Sequence, residues 1–201
     1  MKMTPLDRVL LLVTGLLAAY QVAVGINGLD AIPIIAYTIA FGVLLVAGLL
    51  LIILGFEVLD SPIVVIVSTV IPLAMSLGLV WEHLAAYRIS YLFFVSIGFL
   101  AVVITRSLPM PEKFPIFIIA LVHGVAGFTI FLLPSILAAN GSMRPGFALV
   151  GLGGALIGIL GLLLSFLKTG RPIFPRETIF NVFPGLLTLM TACFVTGFAL
   201  A

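Results

Sequence analysis

Residues 151–165 read GLGGALIGILGLLLS, and this stretch decides the class of fold. Gly151, Gly154, Gly158, Gly161 and Ser165 are spaced three, four, three and four apart. On a helix that spacing puts all five on one stripe with almost no side chain on it. A glycine inside a helix in water costs about 1 kcal/mol relative to alanine. Such a run belongs to a helix that is held by its surroundings and approached closely along the bare stripe. In a bilayer the approaching element is another helix, because small residues let backbones touch where no hydrophobic force separates helix from lipid. The expected mate is the stripe Thr188, Ala192, Thr196 and Ala199, since helices joined by a short loop are usually neighbours. A small stripe on a partner chain is the alternative. On this reading Gly158→Leu forces the two helices apart, at a cost of about 1–3 kcal/mol.

The rest of the chain has the composition such a helix needs. Of 201 residues, 63% are hydrophobic and 8% charged, against roughly 25% charged in soluble domains. The fold class is therefore an all-α integral membrane protein. Each crossing takes about 20 mainly apolar residues. Seven such segments are expected, at 6–27, 31–56, 62–82, 86–106, 114–138, 146–167 and 178–200, forming one polytopic domain over residues 1–201. Short turns separate them. Asn27-Gly28-Leu29-Asp30 and Asn140 to Pro145 are two, and three prolines between Arg106 and Pro115 make another that cannot stay helical. The first segment follows Lys2 and Arg8 and is read as a retained span, not a cleaved signal peptide.

Lysine and arginine set the orientation. With the N-terminus cytoplasmic, that face holds Lys2, Arg8, Arg106, Lys113, Lys168, Arg171 and Arg176, and the other only Arg88 and Arg144. An odd number of spans puts the C-terminus outside. The expected location is the plasma (inner) membrane. Trp81 and all four tyrosines (Tyr20, Tyr37, Tyr87, Tyr91) fall in the outer halves of their spans, whereas Phe56, Phe114, Phe117, Phe174, Phe180 and Phe183 lie toward the inner side. Trp81, Glu82, His83, Tyr87, Arg88 and Tyr91 thus form an outer-face patch. It reads either as an ordinary interfacial belt and solvated turn, or as a surface for a headgroup, a quinone ring or a partner.

Ionisable groups inside a membrane are functional candidates by default. All sixteen Asp, Glu, Lys and Arg residues fall near span ends, so His123 is the exception. It lies nine residues past Phe114, about 13 Å along a helix axis. Gly124, Ala126 and Gly127 beside it would admit another helix or a flat cofactor. The sharp reading makes His123 a haem or chlorophyll ligand; the plain one hydrogen-bonds it to a neighbouring helix. His83, at the far end of its span, stands at a different depth, so the two do not share a metal. Zinc lacks a sufficient ligand set. Gln21, Ser68, Ser76 and Thr188 supply neutral polarity. A hydroxyl on the third span is expected to help satisfy the carbonyl that Pro72 frees. The lone Cys193 reads as a packing residue.

RSLPMPEKFPIF (106–117) and RPIFPRETIF (171–180) share a pattern of arginine, prolines, glutamate and phenylalanine, which common turn chemistry explains as well as duplication does. LKTGRPIFPRE (167–177) resembles the span-ending turn of quinone-site membrane anchors of oxidoreductases, with no specific motif to carry a function across. The expected function is a non-catalytic membrane subunit or accessory protein of a larger complex. Its partners are the lipid bilayer and other membrane subunits or a second copy. A net charge of +2 is too small to argue for nucleic acid. Alternatives are a small facilitator for an uncharged solute, with Gln21, Ser68, Ser76, His123 and Thr188 along its path, and a haem-, chlorin- or quinone-binding subunit of an electron-transfer complex.

Overall fold

The computed structural model describes residues 3–26, 28–111, 113–168 and 173–201. Among them seven helices are long and apolar enough to cross a membrane, and there is no strand. They are α1 (Pro5–Val24), α2 (Ala31–Leu54), α3 (Pro62–His83), α4 (Arg88–Ser107), α5 (Lys113–Ala139), α6 (Ala148–Lys168) and α7 (Arg176–Ala199). Every end lies within three residues of its expected place.

Local chemistry fixes the ends. The Thr4 hydroxyl accepts from the Asp7 backbone N–H at 3.2 Å, and the Asp7 carboxylate accepts from the Thr4 N–H at 2.8 Å. This reciprocal cap satisfies two donors that the first turn leaves orphaned, and Pro5 follows where its missing N–H does no harm. It also explains how Asp7 is buried at the end of a membrane helix. At the other ends of α1 and α2, Gly25 and Gly55 take φ of 69° and 76°, a conformation that disfavours a side chain.

Six helices close a ring. α1 packs on α2, α2 on α3, α3 on α5, α5 on α6, α6 on α7, and α7 back on α1. α4 lies outside the ring, against α3 and α5. A small core of Leu73, Val102, Ile119, Val122 and Ala126 ties it there. Phe56, in the α2–α3 turn, stacks on Phe180 near the start of α7, while Ala201 lies beside the α5–α6 turn. α7 therefore runs in the same direction as α1. The end holding the α2–α3 turn also carries Arg8, Arg106, Lys113 and Arg176, and is called the basic end below.

Aromatic rings fill the ring of helices. Tyr37 meets Phe198 at 4.8 Å between centroids, Phe41 meets Phe194 at 6.5 Å, and Phe147 meets Phe198 at 6.2 Å. Phe56 contacts both Phe180 (5.1 Å) and Phe183 (6.5 Å). These separations lie in the favourable range for ring pairs. Glycines make the room. A Cβ on Gly153 would stand 2.6 Å from the Phe194 ring, and one on Gly78 only 2.5 Å from the Tyr37 ring. Tyr37, Phe56, Phe180 and Phe183 are thus core residues, not members of interfacial belts.

The glycine stripe of α6 has a different mate from the one expected. A Cβ on Gly154 would lie 2.7 Å from the backbone of Ile130 and Phe131, and one on Gly151 2.8 Å from the Phe131 carbonyl oxygen. The mate is α5. Among the described residues none comes within 4 Å of a Cβ built on Gly158 or Gly161, so no described neighbour covers that half of the stripe, and the Ser165 side chain lies outside the described residues. α7 meets α6 through Phe194 and through Gly197, which lies against the Val150 backbone. On this face the Phe194 ring is seated against Gly153. Seating it there carries Thr188 about 120° around α7, at 100° per residue. Thr188 then faces α1, and Thr196 and Ala199 are exposed.

Gly154→Leu should drive α5 from α6 and lower stability by about 1–3 kcal/mol. Gly158→Leu, contrary to the expectation from spacing, should leave the thermal midpoint in detergent nearly unchanged. Equal losses for the two would show the stripe to be covered along its whole length.

Candidate functional site

Polar side chains within the spans mostly return to their own helices. Ser68 and Thr69 donate to the Val65 carbonyl at 3.1 and 2.8 Å, Ser76 to Leu73 at 3.0 Å, and Thr191 to Leu187 at 2.8 Å. None of the α3 hydroxyls reaches the Ser68 carbonyl that Pro72 frees, because each finds an acceptor three or four residues back on its own face. Gln21 donates from Nε2 to the Gly25 carbonyl at 2.9 Å. His123 places Nδ1 3.1 Å from the Ile119 carbonyl oxygen, so its partner is its own helix, not a neighbouring one. It is half-buried.

Two hydroxyl contacts join helices. Thr188 Oγ1 of α7 lies 3.0 Å from Thr14 Oγ1 of α1 and 2.9 Å from the Leu10 carbonyl oxygen. Thr14 is fully buried. Tyr91 of α4 donates to Thr129 Oγ1 of α5 at 3.2 Å, with the buried Ser76 of α3 alongside. Neither pair was assembled from the sequence. For Thr14 a signal existed: Leu11, Thr14, Ala18 and Gln21 recur at heptad-like spacing on α1, and all four are buried.

The outer-face patch divides three ways. Arg88 folds back so that Nε donates to the Trp81 carbonyl at 2.5 Å, with its guanidinium 5.7 Å from the Trp81 ring centre. His83 turns onto Phe147, at 5.3 Å between ring centroids, and Glu82 acts electrostatically on Tyr37. Tyr91 points to α5, and Tyr87 is exposed. His83 and His123 make separate contacts. No group of three or more metal-ligating side chains occurs among the described residues.

Two hollows frame the interior. A cavity of about 10 Å³, room for roughly one water, is lined by Gln21, Gly25, Ile34, Tyr37 and Phe41. A larger hollow of about 530 Å³ lies at the α5–α6 turn, beside Arg144 and Ala201. The third feature is the run of glycines that α5 and α6 share. Gly151 and Gly154 meet α5 at Ile130, Phe131 and Ser135. Continuing that antiparallel register sets Gly158 opposite Gly127 and Gly161 opposite Gly124. Among the described residues, none outside the glycine's own helix lies within 4 Å of a Cβ built on any of these four. Among the described residues the glycines of α6 thus meet α5 most closely near the turn that joins the two helices.

No protein-family model matches the chain, and no curated protein or solved structure is similar to it at a significant level. Residues 169–172, within the turn that resembles quinone-site anchors, lie outside the described residues.

The Thr14–Thr188 contact should be worth about 0.6 kcal/mol, the average for hydrogen bonds between membrane helices. A double-mutant cycle of Thr14→Val and Thr188→Val, read by unfolding in detergent, measures it. Strict additivity would mean that the hydroxyls do not interact.

Proposed function

We propose that this chain is a non-catalytic integral membrane subunit or accessory protein of a larger membrane assembly. In this reading its N-terminus is cytoplasmic, its C-terminus outside, and its membrane the plasma (inner) membrane. The lysine and arginine bias toward the basic end supports that orientation.

One observation carries the reading: the interior of the helix ring is closed toward one end by Phe41, Phe194, Phe198 and Tyr37 and toward the other by Phe56, Phe180 and Phe183. A facilitator would route solute through that space. The polar residues proposed for such a path are spread over α1, α3, α5 and α7, and Gln21, Ser68, Ser76 and His123 bond locally. Thr188 holds α7 to α1 instead. Gly158 and Gly127, whose missing side chains would meet no described residue, offer a place where a partner's helix could approach backbone to backbone.

Mild-detergent extraction from the native membrane tests the proposal. Other membrane chains should co-purify with the wild type and be lost from Gly158→Leu, although that variant stays folded. A lone, colourless chain that drives solute flux in proteoliposomes would favour the facilitator. A visible absorption band abolished by His123→Ala would favour a cofactor-binding subunit.

A further inference from the structure

Arg106 ends α4 with an uncommon environment. Its Nε is sealed inside the protein and has no hydrogen-bond partner among the described residues. The terminal amino groups of the same guanidinium are neither sealed nor bonded to a described residue. Packing thus holds the stem of the side chain and leaves its charged fork available. A sealed orphan donor on a cation asks for compensation from a counter-charge nearby.

Register locates that fork. A Cβ on Gly98 would lie 3.2 Å from Val122, which fixes how α4 and α5 run past each other. Eight residues further along α4, Arg106 stands level with Phe114, at the start of α5. Side chains lean toward the N-terminus of their own helix. That tendency brings the ends of Arg106 and His123 toward each other, and the two are electrostatic neighbours. The Nδ1 of His123 is engaged with Ile119, which leaves Nε2 for another group. Lys113, exposed, opens α5 at the same end. Glu112 lies outside the described residues.

We propose that Arg106, with Lys113 beside it, binds the phosphate of an anionic phospholipid from the leaflet at the basic end. Charge complementarity selects this occupant. Two cations stand at the start of α5, at the basic end of the helices, and basic sites near a membrane surface attract anionic headgroups. A zwitterionic headgroup would bring its own cation against Arg106 and Lys113. The planar guanidinium also matches phosphate oxygens two at a time.

The test uses the full chain, delipidated in a neutral detergent and melted against added lipid. Phosphatidylglycerol should raise the thermal midpoint at concentrations where phosphatidylcholine does not. Arg106→Gln should weaken half-saturation by phosphatidylglycerol about fivefold or more, the weight of one basic side chain beside an anionic surface. Lys113→Gln, at an exposed position that keeps the fold, should weaken it too, and Arg144→Gln at the opposite end should not. Equal responses to the two lipids would overturn the proposal, as would an unchanged response in both Arg106→Gln and Lys113→Gln. Inorganic phosphate reproducing the shift at the same concentration would assign the site to a soluble anion instead.

Discussion

Phe194 sits against the bare backbone of Gly153, and most of the helix arrangement follows from that fit. Lipid gives helices no hydrophobic reason to prefer each other, so close packing and dispersion contacts must supply the preference. A phenyl ring can seat flat on a helix only where the helix has no side chain. Once Phe194 is placed, Gly197 comes against the Val150 backbone and Phe198 meets Tyr37, Phe41 and Phe147. The rotation that achieves this leaves Thr188 facing α1, where its hydroxyl reaches Thr14. α7 is thus the element that closes the ring, and α4 is left outside with the smaller apolar core of its own.

The same solvent constrains the polar groups. A hydroxyl or amide in the hydrocarbon must find its partner within the protein. Here Ser68, Thr69, Ser76, Thr105, Thr129 and Thr191 bond to carbonyls on their own helices. They leave little polarity facing the ring's interior, and the rings fill that space. Among the described residues the unmet demands are the glycines of α5 and α6 that no described neighbour covers and the Nε of Arg106.

Helix number, ends and turns were legible because each rests on local chemistry, such as the Asn140-to-Pro145 turn or the prolines after Arg106. Pairing was not. The α6 stripe was recognised as small, but its mate depends on where the bulky residues of α5 and α7 go, and periodicity along one helix carries no information about its neighbour. Tyr37 and Phe56 misled for a similar reason. Their positions along the chain suit an interfacial belt, and only the glycine opposite or the stacked partner turns them inward. His123 was located correctly as a polar group inside a span, yet its hydrogen bond goes to the carbonyl one turn back, an acceptor that every helix offers.

Closure of the ring by α7 on α1 is the central claim, and cross-linking in the membrane tests it most directly. With Cys193 replaced by alanine, cysteines at Thr14 and Thr188 should form a disulfide under mild oxidation, since their side-chain oxygens are 3.0 Å apart. Cysteines at Gly158 and Thr188, at nearly the same depth on α6 and α7, should not. The reverse outcome, with Thr188 linking to Gly158 and not to Thr14, would mean that α7 turns its small stripe to α6 and that the ring is not closed in this way.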